Sequence, residues 1–274
     1  MSASIADHYA NDGIAERILA AVRATLPRDA PVTVDALAAA DQLHGRGLDA
    51  TKDLAALLGP KPGEQLLDIG SGVGGPARWI ASHFDCHVTG IDLTSAFCRA
   101  AERLNEATGM TDRVTIVEGS ALALPFADQT FDRAYSHNVI MNIADKRKFY
   151  REARRILKSN GALVVMALAA GTTGEAHYPT PWAATAATSF LATLRETHAD
   201  MEAEGFEIEH FADTTERVSA ARQAYANSLA AGSGPALGAH LVMGPRMKEF
   251  QINVIRSEQE GAIRSFEALL RRRA

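Results

Sequence analysis

The feature that most constrains this chain is a short apolar run that turns through three alternating glycines into a helix. Residues 66–75 read LLDIGSGVGG, with Gly70, Gly72 and Gly74 between the strand-like QLLDI and the helix-like PARWIASHF. Glycines there admit backbone angles that other residues resist, and they let a ligand approach the main chain. A second apolar strand, HVTGIDL, ends at Asp92, about twenty residues beyond the loop, where a carboxylate can accept hydrogen bonds from a ribose diol. A dinucleotide site pairs the same two features but uses G-x-G-x-x-G, whereas this loop is G-x-G-x-G. Asp68 also stands two residues before the first glycine. A carboxylate there opposes a pyrophosphate and favours a ligand with a free ammonium group.

The rest of the chain extends this pattern. SAFCRAAERLNEATG reads as a helix closed by Gly109, RVTIVEG as a third strand and FDRAYSHNV as a fourth. DKRKFYREARRILKSNG reads as an amphipathic helix closed by Gly161, and ALVVMALAA as a fifth strand. Strand–helix alternation at this rhythm predicts parallel βαβ units in an open sheet covered on both faces. Residues 171–204 break it with Gly171, Gly174, Pro179 and Pro181, and are expected to form a cap insertion. GFEIEHFADTT returns to strand character, a long helix is expected over about 245–260, and SFEALLRR is read as a last strand. Upstream, Ile14, Ile18, Leu19 and Val22 recur at helical spacing, and Thr33 is a candidate N-cap for a second helix. The predicted division is a helical lid over 1–60 and a ligand-binding domain over 61–274.

Composition narrows the partners. The chain has 274 residues, 47% of them apolar, and a net charge of −5. Its basic cluster, Arg271–Arg273, is confined to the end of the chain, so no nucleic-acid partner is expected. No apolar run reaches the ~18 residues of a membrane span, and Met1–Ala10 lacks a basic-then-apolar leader pattern. The expectation is a cytoplasmic protein, monomer or homodimer, with no membrane partner. Cys86 and Cys98 are too far apart for a CxxC motif and read as reduced and buried. The histidines show no metal-ligand spacing, so no metal is expected.

These motifs together resemble the class I S-adenosylmethionine (SAM)-dependent methyltransferases. LLDIGSGVGG is similar to their first motif, VTGIDLT to the second, EGSALALPFADQTFDRAYSHNVIMNI to the next two, and RRILKSNGALVV to the stretch around the fifth strand. DQLHGRGLDAT, GGPAR, MNIADK and YPTPWA further resemble a bacterial subgroup that includes sarcosine/dimethylglycine N-methyltransferases and, more loosely, quinone-pathway methyltransferases. The resemblance implies a Rossmann-like α/β fold with a mostly parallel seven-stranded sheet, an N-terminal helical lid and a cap insertion. It implies SAM as cofactor, S-adenosylhomocysteine as product and a small-molecule acceptor.

The resemblance also distributes roles. Gly70, Ser71, Gly72 and Gly74 would pack against the methionine part of SAM, with Asp68 near its amino group. Asp92 would take the ribose hydroxyls and Leu93 would lie against the adenine. Ser120 and Ala121 stand where the family carries Gly-Asp-Ala, a departure that removes a charge from the adenine edge. His137 is a candidate for contact with SAM and, with His44, for proton acceptance. Tyr9, His44, Arg46, Met141, Asn142, Tyr178 and Trp182 are the candidate acceptor contacts. The first expectation for the acceptor is the nitrogen of a small amine or amino acid, whose carboxylate calls for Arg46 or Arg78. The alternative is O- or C-methylation of a phenolic or quinone-like compound, favoured by a greasy pocket from Met141, Trp182, Phe190 and Met243. The third is a SAM-binding protein without transferase activity.

Overall fold

The structure is a computed structural model, which describes residues 13–231, 236–244 and 246–273. Tyr9 lies outside the described residues. Helix α1 (Ile14–Arg23) buries Ile14, Ile18, Leu19 and Val22, the stripe its sequence predicts. Helix α2 (Val34–Asp41) begins at Thr33, whose side chain accepts a hydrogen bond from the Ala36 amide at 3.1 Å. Helix α3 (Leu48–Leu58) stops at Gly59, which adopts the left-handed conformation.

Seven strands follow, β1 (Gln65–Ile69), β2 (His87–Asp92), β3 (Val114–Glu118), β4 (Phe131–His137), β5 (Leu157–Ala170), β6 (Phe206–Asp213) and β7 (Ile263–Arg272). Their order in the sheet is β3-β2-β1-β4-β5-β7-β6. The first five run parallel, and β7 is antiparallel to both of its neighbours. Helices α4 (Gly75–Phe84), α5 (Ser95–Thr108) and α6 (Lys146–Ile156) connect the parallel strands. Apolar cores lie on both faces: Phe149, Ile156, Met201 and Phe206 on one, Leu54, Leu58, Ile80 and Val88 on the other. Burial on both faces explains the unbroken apolar run in β5. The chain reverses between β1 and β4, so the strand ends there open a crevice.

Two elements differ from the sequence reading. The helix expected to run to Gly161 ends at Ile156, because Leu157 is drawn into the sheet opposite Phe131. The residues between Leu157 and Ala162 loop out as a strand irregularity, with Asn160 at φ 61°. The segment after β5 carries little regular structure until α7 (Leu194–Ala203), and that helix packs against α6 and β6 in the main body. Three further helices, α8 (Thr215–Ala230), α9 (His240–Met243) and α10 (Met247–Gln259), sit between β6 and β7.

A buried ion pair locks helix α2 to the glycine loop. Arg78 on α4 is fully buried and donates to Asp41 Oδ2 at 3.0 Å, to the Val73 carbonyl at 2.6 Å and to Asn105 Oδ1 at 2.9 Å. Gly75 permits this approach, since a Cβ there would stand 2.3 Å from the Asp41 carbonyl oxygen. Asp41→Ala strands the guanidinium away from water and is expected to destabilise the fold by about 3–5 kcal/mol. Chemical denaturation checks this; a loss below about 1 kcal/mol, the scale of an exposed pair, would contradict it.

Candidate active site

The crevice is a cavity of about 460 Å³, within the ordinary range for small-molecule sites. One half is built by the carboxyl ends of β1, β2 and β3. Gly70, at φ 84°, brings the loop against Val139 so closely that a Cβ would lie 2.2 Å from a Val139 methyl. The Gly72 amide donates to Asp92 Oδ2 at 2.9 Å, and the Thr94 amide to Oδ1 at 2.8 Å. Asp92 thus has each oxygen fixed by a backbone donor and retains lone pairs for a ligand. Burial pushes its carboxyl above the usual carboxylate range.

Asp68 is more isolated. It is 2% exposed, and its Oδ2 has no hydrogen-bond partner. The hydroxyl of Tyr135, its register partner on β4, is also buried and short of hydrogen-bond geometry. Burial raises the Asp68 carboxyl to about 8, against the nearby Tyr135 hydroxyl, which favours the charged form, and with the Asp92 charge adding to the rise. The Ser71 hydroxyl, facing Gly90, is a further buried group without a partner. Leu93 leaves an exposed apolar face at the rim, and Ser120 and Ala121 line the far wall. The Ser120 hydroxyl accepts from the Leu122 amide at 3.2 Å, so it also stabilises its own turn. Gly74 does not line the cavity. It stands behind the loop, where a Cβ would meet Arg78 Nη1 at 2.9 Å.

The other half is apolar, walled by Met141, Leu168, Trp182, Phe190, Met243, Met247 and Val254. The segment after β5 is held by polar contacts to the residues that follow β4. Asn142 Nδ2 donates to the Trp182 carbonyl at 2.6 Å, and the Phe190 amide to the Met141 carbonyl at 2.7 Å. Lys146 donates to the carbonyls of Ile143 (2.8 Å), Ile140 (3.3 Å) and Phe190, and burial lowers its ammonium to about 8.

His44 and His137 meet face to face at the junction of the two halves. Their rings stack at 3.6 Å with an interplanar angle of 5°. Both residues are half-buried, and each has a buried Nδ1 that lacks a partner. Burial lowers His44 to about 4 and holds His137 well below the usual imidazole range, with the charges of His44 and Arg46 acting in the same direction. Both shifts favour the neutral form of the pair.

Of the other acceptor candidates, Met141, Asn142 and Trp182 line the cavity. Tyr178 packs against the apolar cluster of Met141, Leu168, Trp182 and Val254 and is not among the residues that line the cavity. Arg46 is held by Asp53 at 2.6 Å and borders a small chamber beside the histidines. Sequence reasoning missed Met247, Val254, Gln251 and Arg222, all from the helices between β6 and β7. Their helical spacing marks a buried face without saying which cavity it borders. Arg222 is paired with Glu258, and the Gln251 amide oxygen is buried without a partner. Among the described residues no cluster of His, Cys, Asp or Glu has metal-binding geometry, and no helix is long and apolar enough to cross a membrane.

Residues 67–165 match the family described as methyltransferase domain. The match covers about a third of the chain, which over this stretch is similar to methyltransferase domains. The 24-methylenesterol C-methyltransferase 2 of Oryza sativa subsp. japonica is 40% identical over 111 residues, 40% of this chain and 31% of that protein. The match spans about a third of the length of this relative. The 4+2 cyclase SpnF superposes with a TM-score of 0.69 at 22% identity, covering 95% of this chain and 93% of the other. A protein from Galdieria sulphuraria assigned as a sarcosine dimethylglycine methyltransferase gives a TM-score of 0.68 at 19% identity, with 82% and 86% covered. These two likenesses establish the fold.

Proposed function

We propose that this protein is a SAM-dependent methyltransferase that methylates a carbon atom of an apolar, electron-rich small molecule. The cofactor half fits SAM on its own geometry. Asp68 offers a buried carboxyl whose Oδ2 has no partner to an ammonium group, and Asp92 offers two pre-positioned oxygens to a diol. SAM supplies, when bound, a methyl group made electrophilic by a positively charged sulfur. The protein places the acceptor, excludes water and takes up one proton.

The observation that carries the acceptor class is the composition of the second half. The four residues that would make a greasy pocket, Met141, Trp182, Phe190 and Met243, all line it. The arginines that an amino-acid carboxylate would need are occupied: Arg46 by Asp53, Arg78 by Asp41 and Arg222 by Glu258. This favours the apolar alternative over the amine. The choice of carbon follows from the histidines. An imidazole held near 4 is a weak base, poorly matched to a phenol. It suits a C–H that becomes strongly acidic only after the methyl has attached and left a carbocation beside it. The unpartnered end of Gln251 gives the acceptor one polar contact.

The test offers methyl-labelled SAM with two acceptor sets: phenols, quinols and isoprenoid alkenes in one, small amines and amino acids in the other. Label on carbon in the first set is the expected result, with Trp182→Ala raising its KM about tenfold or more. Label on an amine nitrogen would overturn the acceptor assignment.

A further inference from the structure

Beside the histidine pair lies a second chamber of about 40 Å³. It is bounded by β5, β7 and the start of α8, and both His44 and His137 border it as well as the main cavity. Three residues that line this chamber each carry a buried polar atom with no partner in the protein: His44 Nδ1, His137 Nδ1 and the hydroxyl of Ser265. A buried polar atom left unpaired costs roughly 1–3 kcal/mol. Three around one small void call for a common partner. A water needs about 10–15 Å³ and two to four polar neighbours, so the chamber has room and partners for at least one.

The chamber also has an outlet. Glu267, on β7 beside Ser265, borders it and is mostly buried. Glu267 is paired on its outer side with Arg217 and with His210, at 3.2 Å, and both of these are partly exposed.

We propose that this chamber holds ordered water and is the exit by which the proton taken up by the histidine pair reaches bulk solvent. The inference rests on the methyl-transfer reading above. Carbon methylation attaches the methyl through a π electron pair of the acceptor, and the adjacent C–H bond then breaks. Its electrons restore the double bond, and its proton goes to the imidazole. The chamber water accepts that proton from the histidine pair and passes one of its own to the Glu267 carboxylate. Glu267 releases it through His210 to solvent, and the imidazole returns to its neutral form. The apolar cavity, filled by acceptor and cofactor, offers no comparable route.

Two measurements test this, and only one depends on activity. In a high-resolution crystal structure, water in contact with the Nδ1 atoms of His44 and His137 and with Ser265 is expected. A dry chamber would overturn the proposal, whatever the enzyme methylates. Glu267→Gln and Ser265→Val should each leave the first turnover within about twofold of the parent and slow later turnovers about tenfold or more. The first proton is still accepted by a neutral histidine, and only its departure is hindered. Uniform slowing of first and later turnovers in both variants, or no slowing in either, would sink the exit role. If the parent transfers no methyl to any acceptor while the water is present, it is the functional reading that fails.

Discussion

Asp68→Asn is expected to weaken S-adenosylhomocysteine binding at pH 8 by about 10- to 100-fold, the loss of one charge-assisted contact worth roughly 1.5–3 kcal/mol. At pH 6 the two proteins should bind almost equally. The reason is the burial of Asp68, which raises its carboxyl from 3.8 to about 8. A ligand ammonium pairs with the ionised form, so affinity in the parent should climb by up to about tenfold per pH unit between 6 and 8, with proton release in calorimetry. The asparagine variant has nothing to ionise, and its profile should lose this slope. The sign is opposite for the ligand-free fold. The folded carboxyl titrates above the unfolded one, so the folded state holds the extra proton. Stability is therefore lost as pH rises from about 4 through 8, and a bound ammonium restores it. Parallel pH profiles for the two proteins would remove Asp68 from the cofactor site.

His137→Phe is expected to lower kcat about 10²- to 10⁴-fold, the usual contribution of a positioned proton acceptor. Binding of S-adenosylhomocysteine should stay within about threefold, because phenylalanine keeps an aromatic face against His44. His44→Phe should cost less if His137 is the group nearer the acceptor. Since the pair interacts, its titration belongs to both rings. With His44 held near 4, the pair stays neutral upward from there, and kcat should be flat between about pH 6 and 9. The neutral-range pH dependence should then appear in the KM for SAM, through Asp68. Rapid-quench kinetics with a saturating acceptor checks this. A kcat within about threefold of the parent for His137→Phe would show that no proton passes through this ring.

The cofactor half was legible because its signals are local. Glycines at fixed offsets after a strand, and a carboxylate at the next strand end, are set by one βαβ unit. Asp68, Gly70, Gly72 and Asp92 come together as their spacing requires. Gly74 shows the limit of that logic. Its φ of 76° belongs to the same loop, but it does not line the cavity, and a Cβ there would meet Arg78. The acceptor half was less legible because it is assembled from distant segments. His44 lies between helices α2 and α3 and His137 at the end of β4, 93 positions apart in the chain; each looked like a separate candidate, and nothing in the sequence announced the stack. Arg46 and Arg78 read as available to an acceptor carboxylate, and their partners Asp53 and Asp41 are visible only in the fold. Ser265 and Glu267 alternate on an ordinary strand, and their role depends on a void that only packing reveals.

The cyclase neighbour shares this fold over nearly the whole chain, so methyl transfer itself is the central claim to test. The most direct measurement is a single-turnover reaction with methyl-labelled SAM and the apolar acceptor set, following S-adenosylhomocysteine and labelled product by mass spectrometry. The expected result is the two appearing in equal amounts and at equal rates, with the label on carbon. Conversion of an acceptor to an unlabelled product, with SAM bound but unconsumed, would contradict it and make the cofactor a structural ligand.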